Sequence, residues 1–154
     1  MLLKRRSDKV DVLKKVPLFS ELSRRHLDHI AREADEVKEK EGAVLTRQGG
    51  LGREFLLILE GSARVERDET VIARLDPGDF FGEMSLIDGM PRSATVIAES
   101  PTVLLVIEAR CFRNLLDTVP GLQRKLLVTL SARLRAADAR LASINLPGGS
   151  LDRV

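Results

Sequence analysis

Apolar positions recur along this chain with two periods, and the changes of period divide it into segments. Before residue 35 the spacing is helical. Ser7 is placed to cap a first helix, DKVDVLKKV, which Pro17 ends. A second helix is predicted to start after Ser23, with Leu27, Ile30 and Ala34 returning about once per turn. From Asp35 to Ile107 the texture changes to short apolar or alternating runs broken by Gly, Pro and Asp. The runs are AVLTRQ, EFLLILEG, SARVERDE, TVIARLDPGD, SATVIAES and TVLLVIE. Val65, Val71, Ala73 and Leu75 alternate with polar residues, and the Gly-Gly-Leu-Gly stretch at 49–52 reads as a turn. Short strands at such close intervals predict an antiparallel β-roll or jelly roll, the cupin-like double-stranded β-helix.

Helical spacing returns near Ala109. Pro120-Gly121 interrupts it, and a long helix follows from about Leu122 to Ile144. The predicted class is therefore α+β. N-terminal helices occupy 1–34, the β-roll 35–108, C-terminal helices 109–144 and a flexible, Pro- and Gly-containing tail 145–154. No internal repeat is evident.

In the long helix Leu127, Leu130, Leu134, Ala137, Leu141 and Ile144 are separated alternately by three and four residues. That is the narrow a/d seam of a coiled coil. In a parallel dimer of this register, Arg133 at a g position would face Asp138 of the second copy at the following e position. The seam predicts a homodimer through the helix. The alternative is a stripe packed on the chain's own β-roll as a lid.

Composition removes several function classes. The 25 Lys/Arg against 23 Asp/Glu give a net charge of +2, so no whole-molecule field attracts nucleic acid. Trp and Tyr are absent, which leaves only five Phe as stacking platforms. Cys111 is the single cysteine, so an internal disulfide and a multi-cysteine metal site are excluded. His26 and His29 stand at i and i+3 on the second helix without a third ligand nearby, and read as surface polar residues. No metal site is expected. The start, MLLKRRSDKV, resembles neither a signal peptide nor a membrane span, and the expected setting is cytoplasmic.

The chemistry concentrates in Gly78 to Val96, GDFFGEMSLIDGMPRSATV. A strand ends in Phe80-Phe81, Gly82-Glu83 turns, Met84 to Ile87 make a helical turn, and Pro91-Arg92 lead into another strand. Glycine at 82 permits close approach of the backbone to a ligand. The first N–H groups of the short helical turn lack internal partners and can face a phosphate. Arg92 offers a planar, permanent charge that grips a phosphate at two points, and Ser93 adds a hydroxyl. Glu83 would repel a bare phosphate but can accept a hydrogen bond from an adjacent sugar hydroxyl. Together these residues describe a nucleotide site; a Glu83–Arg92 ion pair that merely closes the loop accounts for the two charges equally well.

FGEMSLIDGMPRSATV closely resembles the phosphate-binding cassette of the cyclic nucleotide-binding domain family. The resemblance continues through Glu41-Gly42, Gln48-Gly49, FLLILEG at 55–61, Asp76-Pro77-Gly78-Asp79 and the opening LFSELSRRHLDHIA, and covers about residues 17–142. It implies that Glu83 binds the ribose 2′-hydroxyl and Arg92 the cyclic phosphate. Amides around Gly82, Glu83, Met84 and Ser85, with Ser93 and Ala94, would complete the cradle. Serine at 93 is the choice of bacterial cyclic AMP receptors, so the ligand expected is cyclic AMP, with cyclic GMP not excluded. Two departures matter. The family's DNA-reading members carry a winged helix-turn-helix after the long helix, and this sequence ends before one could fit, so no direct DNA contact is expected. Ala137-Asp138 replace the Thr-Ser pair that those members offer to adenine.

No nucleophile–base pair or carboxylate dyad is evident, so the reading is a non-catalytic sensor that transmits binding through its C-terminal helix. It needs no cofactor besides its nucleotide ligand. A cupin-type metal enzyme would need histidines in the β segment, where none occur. Two alternatives stay open: a piece of a longer cyclic AMP-responsive transcription factor, and a degenerate dimer that binds nothing.

Overall fold

The computed structural model describes residues 6–144; the tail expected at 145–154 lies outside the described residues. Two helices and a single 3₁₀ turn come first: α1 (Arg6–Lys14), the turn Pro17–Phe19 and α2 (Arg24–Glu33). Ser7 falls inside α1 rather than at its cap. Ser23 does cap α2, its hydroxyl accepting the His26 amide at 3.3 Å. The strands are β1 (Asp35–Glu39), β2 (Val44–Thr46), β3 (Glu54–Glu60), β4 (Ala63–Arg67), β5 (Thr70–Leu75), β6 (Phe80–Phe81), β7 (Thr95–Ala98) and β8 (Thr102–Glu108). A short helix, α3 (Glu83–Asp88), separates β6 from β7, and α4 (Ala109–Thr118) and α5 (Leu122–Ile144) complete the described residues.

The strands form two antiparallel sheets, ordered β1-β8-β3-β6 and β2-β7-β4-β5, as a β-roll requires. β1 was not among the apolar runs. Its sequence, DEVKE, is mostly charged, and it joins the sheet as an edge strand against β8. Charges on an edge are what a sheet margin tolerates and what hydrophobic periodicity cannot detect.

β3 explains how the layers stack. Successive side chains of a strand point to opposite faces, and EFLLILE is apolar on both. Phe55 and Leu57 enter a core shared with the helices, with Leu27, Ile30, Phe112 and Leu115. Leu56 and Ile58 enter a second core between the sheets, with Ala63, Leu75, Val96 and Leu104. β6 is split in the same way, Phe80 to the helix side and Phe81 between the sheets. Phe55 centres an aromatic cluster, with ring centroids 4.4 Å from Phe112, 5.3 Å from Phe80 and 6.1 Å from Phe19. All five phenylalanines are buried, which leaves none as a surface stacking platform.

α5 packs through Leu122 and Leu126, with Leu130 partly buried behind them. The 3/4 stripe shares Leu130 with this packed face, but most of it runs on past the body of the chain. Leu127, Leu134, Leu141 and Ile144 are largely exposed, so the stripe is not the seam of an intramolecular lid. Arg133 is turned to the body of its own chain. Its expected pairing with Asp138 of a second copy is replaced by an intrachain ion pair with Glu83.

Candidate ligand-binding site

The cassette begins where β6 runs out. Gly82 adopts φ 90°, a left-handed conformation that glycine takes without the clash a Cβ would cause. A Cβ there would also stand 2.8 Å from the Glu54 carbonyl and 2.7 Å from an Arg92 nitrogen. This reversal starts α3 and carries Glu83 inward. Glu83 is 4% exposed and Ser85 is equally buried, whereas Met84 and Ile87 face outward. α3 closes on Gly89, also left-handed at φ 72°.

Arg92 is the second buried charge, 8% exposed. Its guanidinium donates to the Gly82 carbonyl at 2.7 Å and to the Glu54 carbonyl at 2.8 Å. Its backbone is fastened too, with Gly49 N donating to Arg92 O at 2.9 Å and Arg92 N donating to Gly50 O at 2.8 Å. Two N–H groups of the fork are thus committed, and the others remain for an anion. Ser93 follows, its hydroxyl 3.7 Å from the Met84 sulfur and its carbonyl accepting from Arg67 Nε at 3.0 Å. Ala94, half-buried, sits in the bend that leads into β7. Gly82, Glu83, Ser85 and Arg92 therefore converge on one spot. Ser93 joins them through Met84, whose own side chain stays largely outside.

Three contributors were not singled out as site residues in the sequence. Gly52 lies so close beneath the cassette that a Cβ would come within 2.2 Å of Ser85 Cβ and 3.2 Å of Arg92 Cζ. The Gly-Gly-Leu-Gly stretch is therefore a close-approach element as well as a turn. Gln48 fastens the β4–β5 hairpin, donating to Asp68 Oδ1 at 3.0 Å and accepting the Asp68 amide at 2.9 Å. That turn places Asp68 and Glu69 at φ 51° and 66°, as a two-residue hairpin of the primed type requires. The third is Arg133 of α5. It donates to Glu83 Oε1 at 3.1 Å and to the Phe80 carbonyl at 2.5 Å, and its guanidinium lies 4.4 Å from the centre of the Phe80 ring. Heptad position alone pointed Arg133 outward, and only the tertiary path of α5 turns it in.

The electrostatics follow from burial. Desolvation pushes the Glu83 carboxyl above the ordinary carboxylate value, against the pull of Arg133, its own backbone N–H and Arg92. Desolvation likewise draws Arg92 down, opposed by Glu54 and Glu83. Cys111, buried in the helix layer, has its thiol pushed up to about 11 and offers no reactive thiolate. Among the described residues no group of three or more His, Cys, Asp or Glu could hold a metal, and no helix is long and apolar enough to cross a membrane.

With this geometry in place, the comparisons with known proteins identify the class. The profile of the cyclic nucleotide-binding domain family matches residues 36–119, more than half the chain, and the protein belongs to that family. The Cyclic AMP receptor protein of Thermus thermophilus is 33% identical over 134 residues, covering 84% of this chain and 62% of the relative. A cAMP-dependent protein kinase regulatory subunit of Schizosaccharomyces pombe is 34% identical over 114 residues, covering 73% of this chain and 28% of the relative. Among solved structures, the regulatory domain of Toxoplasma gondii PKA, crystallised with cAMP, superposes with a TM-score of 0.76. It is 29% identical, covering 84% of this chain and 51% of that one. The chain thus spans less than two thirds of these proteins.

The raised Glu83 pKa carries a stability consequence. The folded protein holds this proton more tightly than the unfolded chain does. The stability Glu83 contributes is therefore present in full below the unfolded value of 4.5 and is lost as pH rises through the folded value. Glu83→Gln is expected to melt above the unmodified protein near neutral pH without ligand, with the gap closing below about pH 4. Calorimetric melting across that range checks it, and a variant that melts lower at neutral pH would contradict the sign.

Proposed function

We propose that the chain is a cyclic AMP-binding sensor, non-catalytic in itself, in which Glu83 accepts the ribose 2′-hydroxyl and Arg92 grips the cyclic phosphate. The observation that carries the reading is the pair of opposite charges, Glu83 and Arg92, both buried within one cassette and close enough to interact electrostatically. A loop-closing ion pair alone would leave Arg92 pointed at Glu83. Instead its fork is spread over two carbonyls, with donors left over. Amides of Gly82, Glu83, Met84 and Ser85, with Ser93 and Ala94, complete the cradle. Ser93 favours cyclic AMP, and cyclic GMP is the second ligand to be compared. The receptor and kinase-subunit relatives support this ligand class.

Transmission runs through Arg133. It holds the carboxylate that the ribose would engage, and it belongs to the helix that leaves the body. An open groove of about 380 Å³, lined among others by Leu18, Phe80, Thr129 and Arg133, runs beside α5 at this contact. A ligand can shift the helix only by its differential affinity for two helix positions, and the shared carboxylate provides the difference. The expected cellular setting is the cytoplasm, and no direct DNA contact is assigned to these residues.

Cyclic AMP is expected to raise the melting temperature of nucleotide-stripped protein, adding about 2.7 kcal/mol at 100 times its dissociation constant. Linear AMP should do far less. Arg92→Ala should weaken binding by roughly 1.5–3 kcal/mol, through loss of a charge-assisted contact. No stabilisation by either cyclic nucleotide at millimolar concentration would reject the reading in favour of a degenerate pocket.

The exposed stripe on α5 supports a homodimer. Leu127, Leu134, Leu141 and Ile144 leave apolar surface along a helix that is anchored on its own chain through Leu122, Leu126 and Leu130. Such a stripe is buried most simply against its copy in a parallel coiled coil. Because Arg133 is committed to Glu83, the seam itself supplies the energy. Sedimentation at tens of micromolar should give a dimer, and Leu134→Lys with Leu141→Lys should give a folded monomer. A monomeric unmodified chain, with and without ligand, would overturn the dimer.

A further inference from the structure

A second cleft lies between α2 and α4 and shares no residue with the nucleotide site. It is an open cleft of about 440 Å³, lined by Arg25, His26, His29 and Arg32 from α2, with Asn114, Leu115 and Thr118 from α4. Arg25, His29 and Arg32 follow one another at i, i+4 and i+7, one ridge of the helix. Asn114 and Thr118 are likewise four residues apart on α4. No acidic side chain lines the cleft; Asp28 and Glu33 of α2 and Asp117 of α4 stay out of its wall. Neither arginine enters an ion pair among the described residues, whereas Arg64, Arg74, Lys125 and Arg133 all do. Leu115 forms a buried apolar floor.

We propose that this cleft is a docking groove for an acidic segment of a partner protein. The argument is charge complementarity and spacing. Seven residues separate Arg25 from Arg32, a rise of about 10 Å along the helix, so the two arginines root at separate points of the groove. Side chains three residues apart on a peptide in the polyproline II conformation share one face and stand about 9 Å apart, and guanidinium forks match their carboxylates. The Asn114 amide carries both a donor and an acceptor, the pair that a peptide backbone between the two carboxylates presents in complement. A mobile segment binds along an open groove of this kind without reshaping the β-roll, and the net charge of only +2 adds little whole-molecule attraction.

The test uses fluorescein-labelled octaglutamate, with octalysine as control, followed by anisotropy at low salt. Octaglutamate should bind the unmodified chain and octalysine should not, with the affinity falling as salt rises. Arg25→Glu with Arg32→Glu should weaken octaglutamate by at least about tenfold, while Arg124→Glu with Arg135→Glu on α5 should change it by less than about threefold. Circular dichroism melting establishes that each variant is folded, and Arg25→Gln with Arg32→Gln gives the same reading by removing charge rather than inverting it. Equal losses from both reversals would reduce the binding to general electrostatics and overturn the groove. Inorganic tripolyphosphate binding tighter than the peptide would also overturn it, making the cleft a small-anion site. Absence of peptide binding at low salt would reject it outright.

Discussion

Glu83 is a carboxylate removed from water at the end of a two-residue strand, and most of the local architecture follows from keeping it there. Burying an ion costs several kcal/mol after relaxation, and attraction to a partner repays that only with good geometry. The partner is Arg133, brought from fifty residues away along α5 to 3.1 Å from Oε1. Phe80 completes the arrangement, accepting the guanidinium with its carbonyl and supporting it with its ring. Even so, desolvation outweighs the ion pair and the carboxyl stays above its ordinary value. The protein therefore retains an electrostatically expensive group at the expense of stability.

The β-roll supplies the rigidity. β3 is buried on both faces, so the Glu54 carbonyl at its start is a fixed point, and it is one of the two that hold the Arg92 fork. Gly52, just before that strand, allows Ser85 to come down onto it. Gly49 and Gly50 pair with the Arg92 backbone. Each anchor of the cassette is thereby tied to an element that is already packed. β6 carries the connection in one dipeptide, Phe80 under Arg133 and Phe81 between the sheets, so the helix layer and the sheet core both end at the site.

Much of this was legible in the residues. Strand runs, the two helix-bearing flanks, the break at Pro120-Gly121 and the cassette all follow from periodicity, turn chemistry and motif spacing. What was not legible was tertiary. β1 is charge-rich and is a strand only because β8 offers it an edge. Ser7 reads as a cap by residue type, yet the helix already includes it. Arg133 has a plausible coiled-coil position, and nothing in heptad spacing says that α5 will cross the cassette mouth with that side inward. Gly52 belongs to a run that announces a turn, while its closeness to Ser85 depends on elements thirty residues away meeting it. Local signals specify local conformation; long-range contacts of single polar side chains leave no period to read.

The central claim is that the buried Glu83 carboxylate reads the ribose. Titration calorimetry of cyclic AMP and its 2′-deoxy analogue, against the unmodified chain and Glu83→Ala, isolates that one contact as a double-difference cycle. The unmodified chain should prefer cyclic AMP, by about tenfold or more for a charge-assisted hydrogen bond, and Glu83→Ala should bind the two ligands alike. A preference that survives in Glu83→Ala at its full size would contradict the account.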